Sequence, residues 1–272
     1  MGINSLLPFE ILDGPCYLVQ FEVIRESAEC YTHGARVASP LLGRKDVFVK
    51  YYVDLGKPNR GLVNEAIGYL LAKASDLPVA SDAFIVHVPG QRLLEAHPKL
   101  EKIIRTTDLY PCWATSAVEG AVSKRNQRQV IEALKKWDFC PRMLAFDDWV
   151  MNADRTTENV VRSGKKQITL IDHGHIGGSL NWVPDLLASD ASLAAQIHRL
   201  LWPNGLPKEI SNHIVEEARR HEQIFASVRS QVRSVLDLLI EDPDAASAFE
   251  AFLQQRANGG YERAKKNYGV LV

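Results

Sequence analysis

Residues Phe146 to Gly174 read FDDWVMNADRTTENVVRSGKKQITLIDHG. Asp154 and Asn159 stand at D-x4-N spacing, and Asp172 follows thirteen residues later at the end of an apolar run holding Ile168, Leu170 and Ile171. Residues 159–162 and 167–171 read as two short strands around a Ser163-Gly164-Lys165-Lys166 turn. A loop followed by a hairpin can bring an aspartate, an asparagine and a second aspartate to one edge. That set suits phosphoryl transfer from a nucleotide. One carboxylate orients and deprotonates the acceptor hydroxyl, while an amide oxygen and another carboxylate hold magnesium. Mg2+ requires hard oxygen ligands, and no His/Cys set here points to zinc. His173 and His175, at i and i+2 without cysteine or glutamate partners nearby, do not read as a zinc pair.

Working outward, residues 46–53 (DVFVKYYV) form a strand with Val47, Val49 and Tyr51 on one face and Phe48, Lys50 and Tyr52 on the other. A lysine in the middle of such a strand needs a reason to be kept. Residues 61–74 follow a helical period through Leu62, Val63, Ala66, Ile67, Leu70, Leu71 and Ala74, and Glu65 opens that helix fifteen residues after Lys50. In phosphotransferases a strand lysine and a helix glutamate in this order place the lysine on the nucleotide phosphates. Residues 16–24 and 79–88 are further strands, whereas 32–45, with Gly34, Pro40 and Gly43, reads as turn-prone. Residues 127–137 and 141–151 read as helices. From 186 the period is helical almost to the end, interrupted at 203–207, 242–243 and 259–260.

The expected fold class is therefore α+β and two-lobed, with a β-rich lobe over residues 1–111 and a mainly helical lobe over 112–272. The chain has 272 residues, 46% hydrophobic and 24% charged, which excludes a mainly disordered protein. Its 32 Lys and Arg against 33 Asp and Glu argue against nucleic-acid binding through bulk charge. No apolar run reaches the roughly 18 residues of a membrane span, and MGINSLLPFEILDGP lacks the positive start of a signal peptide. Four scattered cysteines without a CxxC pair suit a reducing cytoplasm.

Four pieces together make the chain resemble the HipA-like kinase family, a branch of the protein-kinase-like fold. They are Lys50 within VFVKYY, the helix and turn NEAIGYLLAKASDLPVA (64–80), the segment WATSAVEG (113–120), and NADRTTEN with LIDHG. The resemblance implies Asp154 as the catalytic aspartate, Asn159 and Asp172 as magnesium ligands, and Lys50, supported by Glu65, as the contact to the ATP phosphates. Trp113, Ala114, Thr115 and Ser116 would then pass the nucleotide base. ATP and Mg2+ are the cofactors so implied, and the acceptor would be a hydroxyl of a protein serine or threonine. An antitoxin partner, as several members of the family have, is a further expectation. No G-x-G-x-x-G loop is present, so the phosphate-covering loop is sought within 34–45, where Ser39 becomes a candidate for autophosphorylation. Two other readings use the same residues: a small-molecule phosphotransferase on a related fold, and a non-catalytic nucleotide-binding interaction module.

The remaining polar residues have plainer readings. Asp147 and Asp148 are adjacent on a helix and point to different faces, so they are not a paired acid and base. Trp149 packs in the core. Arg155 either pairs with a carboxylate near the site or is solvated. Arg256, Arg263, Lys265 and Lys266 read as a solvated helix face, and direct nucleic-acid contact there is not expected.

Overall fold

The computed structural model describes residues 7–27, 29–54, 56–118, 121–122, 127–163, 167–191 and 196–269. Contacts group the chain into two units, residues 1–62 with 80–117 and residues 63–79 with 118–272. The α+β organisation is as expected, with strands dominating the first unit and helices the second.

The first unit is a six-stranded sheet in the order β1-β5-β6-β4-β3-β2. The strands are β1 (Glu10–Leu12), β2 (Tyr17–Glu26), β3 (Cys30–Ser39), β4 (Gly43–Tyr52), β5 (Ala83–Pro89) and β6 (Leu109–Ser116). Only β1 and β5 run parallel. The alternation read in β4 is realised. Val47, Val49 and Tyr51 enter the core with Ala35, Val37, Phe84, Val86 and Ala114, and Lys50 stays on the opposite face. Residues 32–39, expected to be turn-prone, are strand instead. Gly34 sits opposite Phe48 in an uninterrupted β3–β4 register, and burial of Ala35 and Val37 outweighs the glycine's weak strand preference. The turn is confined to Pro40, Leu41 and Leu42, ahead of Gly43 at φ +73°.

A second surprise is helix α2 (Gly90–Ala96), where Pro89-Gly90 reads as a turn in the sequence. It brings His97 against the sheet in a buried chain of hydrogen bonds. The Glu26 carboxylate can only accept, which orders every proton along it. Tyr17 O–H donates to His33 Nε2 at 2.8 Å, His33 Nδ1–H to His97 Nε2 at 3.1 Å, and His97 Nδ1–H to Glu26 at 3.2 Å, while Lys99 holds the other Glu26 oxygen.

The second unit holds α1 (Gly61–Ala74, nearly all of it), the three-stranded sheet β7 (Ala121–Val122), β8 (Val160–Ser163) and β9 (Gln167–Leu170), and seven further helices among the described residues. These are α3 (Gln127–Lys135), α4 (Cys140–Val150), α5 (Gln196–Leu201), α6 (Lys208–Ala218), α7 (His221–Leu239), α8 (Pro243–Asn258) and α9 (Gly260–Tyr268). Helix α4 is buried on every side except at Arg142. Trp149 is core, as expected, with its indole stacked on His221 at 4.6 Å and donating to the Leu253 carbonyl. The hairpin turn residues 164–166 lie outside the described residues.

The solvated face expected for 256–266 needs correction. Arg256 is fully buried, and its guanidinium donates to the carbonyls of Asp148, Trp149, Ala188, Ser189 and Ala191. Arg263 and Asn267 bond the two Asp148 oxygens at 2.8 and 3.0 Å. A guanidinium can satisfy several carbonyls at once, which is what allows it to be interior here. Lys266 alone of the four basic residues is exposed.

Two buried imidazoles give the fold an acid limit. Burial holds His33 and His221 each down at about 3, against about 6.5 when unfolded. Between those values the unfolded chain binds protons that the folded chain refuses, so stability falls as pH drops through this window. From pH 7 to pH 5 each histidine should remove roughly 2 kcal/mol. Urea unfolding at both pH values checks this. The His33→Gln, His221→Gln pair should lose most of the difference, and an unchanged acid limb would contradict the assignment.

Candidate active site

In the second unit, helix α4 ends at Met151 in the left-handed conformation, and the segment 152–159 follows it. Asn152 is buried. Its amide donates to Asp147 Oδ1 at 3.2 Å, and its carbonyl oxygen receives the Asp154 N–H at 3.3 Å. The Asn159 amide then donates to the Asp154 carbonyl at 2.7 Å, closing the loop on itself. The Asp154 carboxylate lies outside this lattice, 43% exposed, with His175 Nδ1 at 3.7 Å.

Arg155 resolves to the paired alternative. It is fully buried and joins three segments. Nε and Nη2 bond the Asp147 carboxylate at 3.0 to 3.2 Å, Nη1 donates to the Ile171 and Asn159 carbonyls at 2.8 and 3.3 Å, and Nη2 lies 3.2 Å from His173 Nδ1. Ile171 N–H also donates to the Asn159 carbonyl at 3.1 Å. The backbones carrying Asn159 and Asp172 are thus locked together. Asp172 itself has φ +63°, a strained setting for an aspartate that directs the chain out of β9. Burial pushes the Asp147 carboxyl above its ordinary range, and Arg155 and Asn152 pull it back.

Helix α1 grips the segment after Asp172. Glu65, buried, accepts the His173 N–H at 3.0 Å. Asn64 donates to the Gly174 and Ser179 carbonyls and accepts from the Trp182 indole. Gly68 permits the close approach, because a Cβ there would fall 2.3 Å from the His173 Cβ. Gly68→Ala should therefore cost roughly 1–3 kcal/mol through overpacking. A melting curve measures that loss, and a wild-type Tm would contradict it.

Within the second unit, then, Glu65, Asp154, Asn159 and Asp172 lie on segments bonded to one another. The first unit holds the others. Lys50 is opposite Trp113 and Thr32, and Phe48 is opposite Thr115, so Lys50, Trp113 and Thr115 share one sheet face. Trp113 is fully buried, edge-on to Phe9. Ala114 faces the core, and the Ser116 hydroxyl is engaged with Ser81 and Asp82. Glu119 and Gly120 of the same segment lie outside the described residues.

The phosphate-covering loop sought within 34–45 meets a geometric difficulty. Its turn lies seven residues along β4 from Lys50, roughly 23 Å at strand rise. The β2–β3 connection is at the lysine's own end, since Cys30 pairs with Tyr52 and Val53 N–H donates to the Glu29 carbonyl. Ser39 is buried, its hydroxyl donating to Glu10 and accepting the N–H groups of Leu41 and Leu42.

Sequence reasoning placed Asn64 and Asn152 within the motifs without giving either a role, and missed Gly68 and Asp147 as parts of this arrangement. Asn64 carried a signal through its place beside Glu65. Asp147 carried none, because nothing local marks which of two adjacent buried aspartates faces Arg155.

Against known proteins, a family profile described as HipA-like kinase matches residues 23–175, more than half of the chain. No curated protein matches. Among solved structures, HipA of Shewanella oneidensis MR-1, from a toxin–antitoxin complex of HipA, HipB and operator DNA, aligns over 96% of this chain and 69% of its own. The identity is 15% and the TM-score 0.46. The profile spans Lys50, Glu65, Asp154, Asn159 and Asp172. By that match, the chain belongs to the HipA-like kinase family.

Proposed function

We propose that the chain is a Mg2+- and ATP-dependent kinase that transfers the γ-phosphoryl group to the hydroxyl of a protein serine or threonine. The observation that supports this best is the Arg155-centred lattice, which joins the Asn159 and Asp172 segments and leaves the Asp154 carboxylate outside it. The donor chemistry fits the ion: Asn159 and Asp172 offer an amide and a carboxylate oxygen, the hard ligands Mg2+ takes. These two residues would hold it, and when bound it neutralises charge on the phosphoryl oxygens.

The chain's own residues have distinct roles in this reading. Asp154 orients the acceptor hydroxyl and takes its proton on a carboxylate oxygen, with His175 beside it. Lys50 binds the ATP phosphates. Trp113 to Ser116 carry the nucleotide-base contact in this proposal on the family resemblance, with Thr115 on the same sheet face as Lys50. Glu65 fixes the backbone directly after Asp172. The β2–β3 connection takes the phosphate-covering role. A reducing cytoplasm is the proposed setting, and among the described residues no helix is long and apolar enough to cross a membrane. An antitoxin partner belongs to this proposal on the family resemblance alone.

Thermal unfolding with and without Mg·ATP tests the binding half. Ligand at a hundred times its Kd should stabilise by about 2.7 kcal/mol. A transition unmoved by millimolar Mg·ATP would remove the proposal.

A further inference from the structure

We propose that Arg155 is a positioning residue that sets the affinity for the divalent ion. This rests on the reading of Asn159 and Asp172 as the magnesium pair. Metal sites owe much of their affinity to groups behind the ligands that fix ligand orientation. Arg155 stands in that place. One nitrogen, Nη1, donates to the Asn159 carbonyl and to the carbonyl of Ile171, the residue before Asp172. The spacing between the two ligand-bearing backbones, set also by the Ile171 N–H bond to the Asn159 carbonyl, is therefore braced by this planar group.

The guanidinium is itself fixed from behind. Nε and Nη2 make three bonds of 3.0 to 3.2 Å with the fully buried Asp147 carboxylate, and Asn152 bonds the same carboxylate. Asp147 in turn sits on α4, whose neighbouring residue Asp148 is held by Arg263 and Asn267. A lysine could neutralise Asp147 but lacks the fork that reaches two carbonyls and a carboxylate at once. Arg155 is fully buried and adjacent to Asp154, so its effect passes through these backbones and not through contact with substrate.

The test titrates Mg2+ at fixed ATP and follows nucleotide-induced thermal stabilisation, with Mn2+ electron paramagnetic resonance as a direct readout of the metal. Arg155→Met leaves Asp147 buried without its cation and can fail to fold. Two further variants address this: the double Asp147→Leu, Arg155→Met, which replaces the pair by apolar groups, and Arg155→Lys, which keeps the charge. Each variant that folds should need about 10- to 100-fold more metal for half-maximal effect, with a correspondingly weaker bound Mn2+ signal. A folded variant with the wild-type metal midpoint overturns the positioning role. A wild-type chain unmoved by Mg·ATP overturns the kinase reading beneath it, so the two failures are distinguishable.

Discussion

Asp154→Asn should lower phosphoryl transfer by roughly 10²- to 10⁴-fold, the range typical of losing a positioned general base, while leaving the fold and Mg·ATP binding nearly intact. The separation follows from how the residue is held. Its backbone N–H bonds Asn152 and its carbonyl accepts from Asn159, so both anchors survive substitution of the side chain. The carboxylate is 43% exposed and outside the Arg155 lattice, so its replacement opens no cavity and strands no buried charge. Transfer of labelled γ-phosphate measures the first effect and thermal shift the second. Asp172→Asn should behave differently, weakening the Mg·ATP complex itself. Wild-type turnover in Asp154→Asn would contradict the role assigned to it.

The largest expected effect on stability belongs to Arg256→Met. Its guanidinium donates to five backbone carbonyls, those of Asp148 and Trp149 on α4 and those of Ala188, Ser189 and Ala191 in the segment before α5. Removing it leaves these acceptors in a site with no water access and takes away a cation beside Asp148. Breaking a buried charged network by one partner costs about 3–5 kcal/mol, a fall in Tm of roughly 6–20 °C for a unit of this size. Burial draws the Arg256 pKa down to about 10, still above neutral pH, so the cation is retained there. Differential scanning calorimetry checks the prediction. A shift of a degree or less would show that the carbonyls find other partners.

What the sequence showed about the fold depended on local pattern. The α1 boundaries were legible because seven apolar residues recur at helical steps and Leu77-Pro78 ends the run. Strand β4 was legible because its two faces alternate cleanly. Strand β3 was hidden because Gly34 and Pro40 look like breaks, whereas only Pro40 is in the turn. Helix α2 was hidden behind Pro89-Gly90.

For the candidate site, the motif-bearing residues could be named but their supports could not. Arg155 finds its partners eight residues upstream and four and sixteen to eighteen downstream, and Arg256 finds its own some 65 to 108 residues away. Burial of a guanidinium depends on tertiary partners that no periodicity records. A run of basic residues near the end of a chain therefore reads as a solvated surface even when its first member is interior.

The most direct test compares phosphoproteomes of cells expressing the wild-type chain and cells expressing Asp154→Asn at equal abundance. The account predicts serine or threonine sites occupied with the first and vacant with the second. Indistinguishable phosphoproteomes, with both proteins folded, would contradict it.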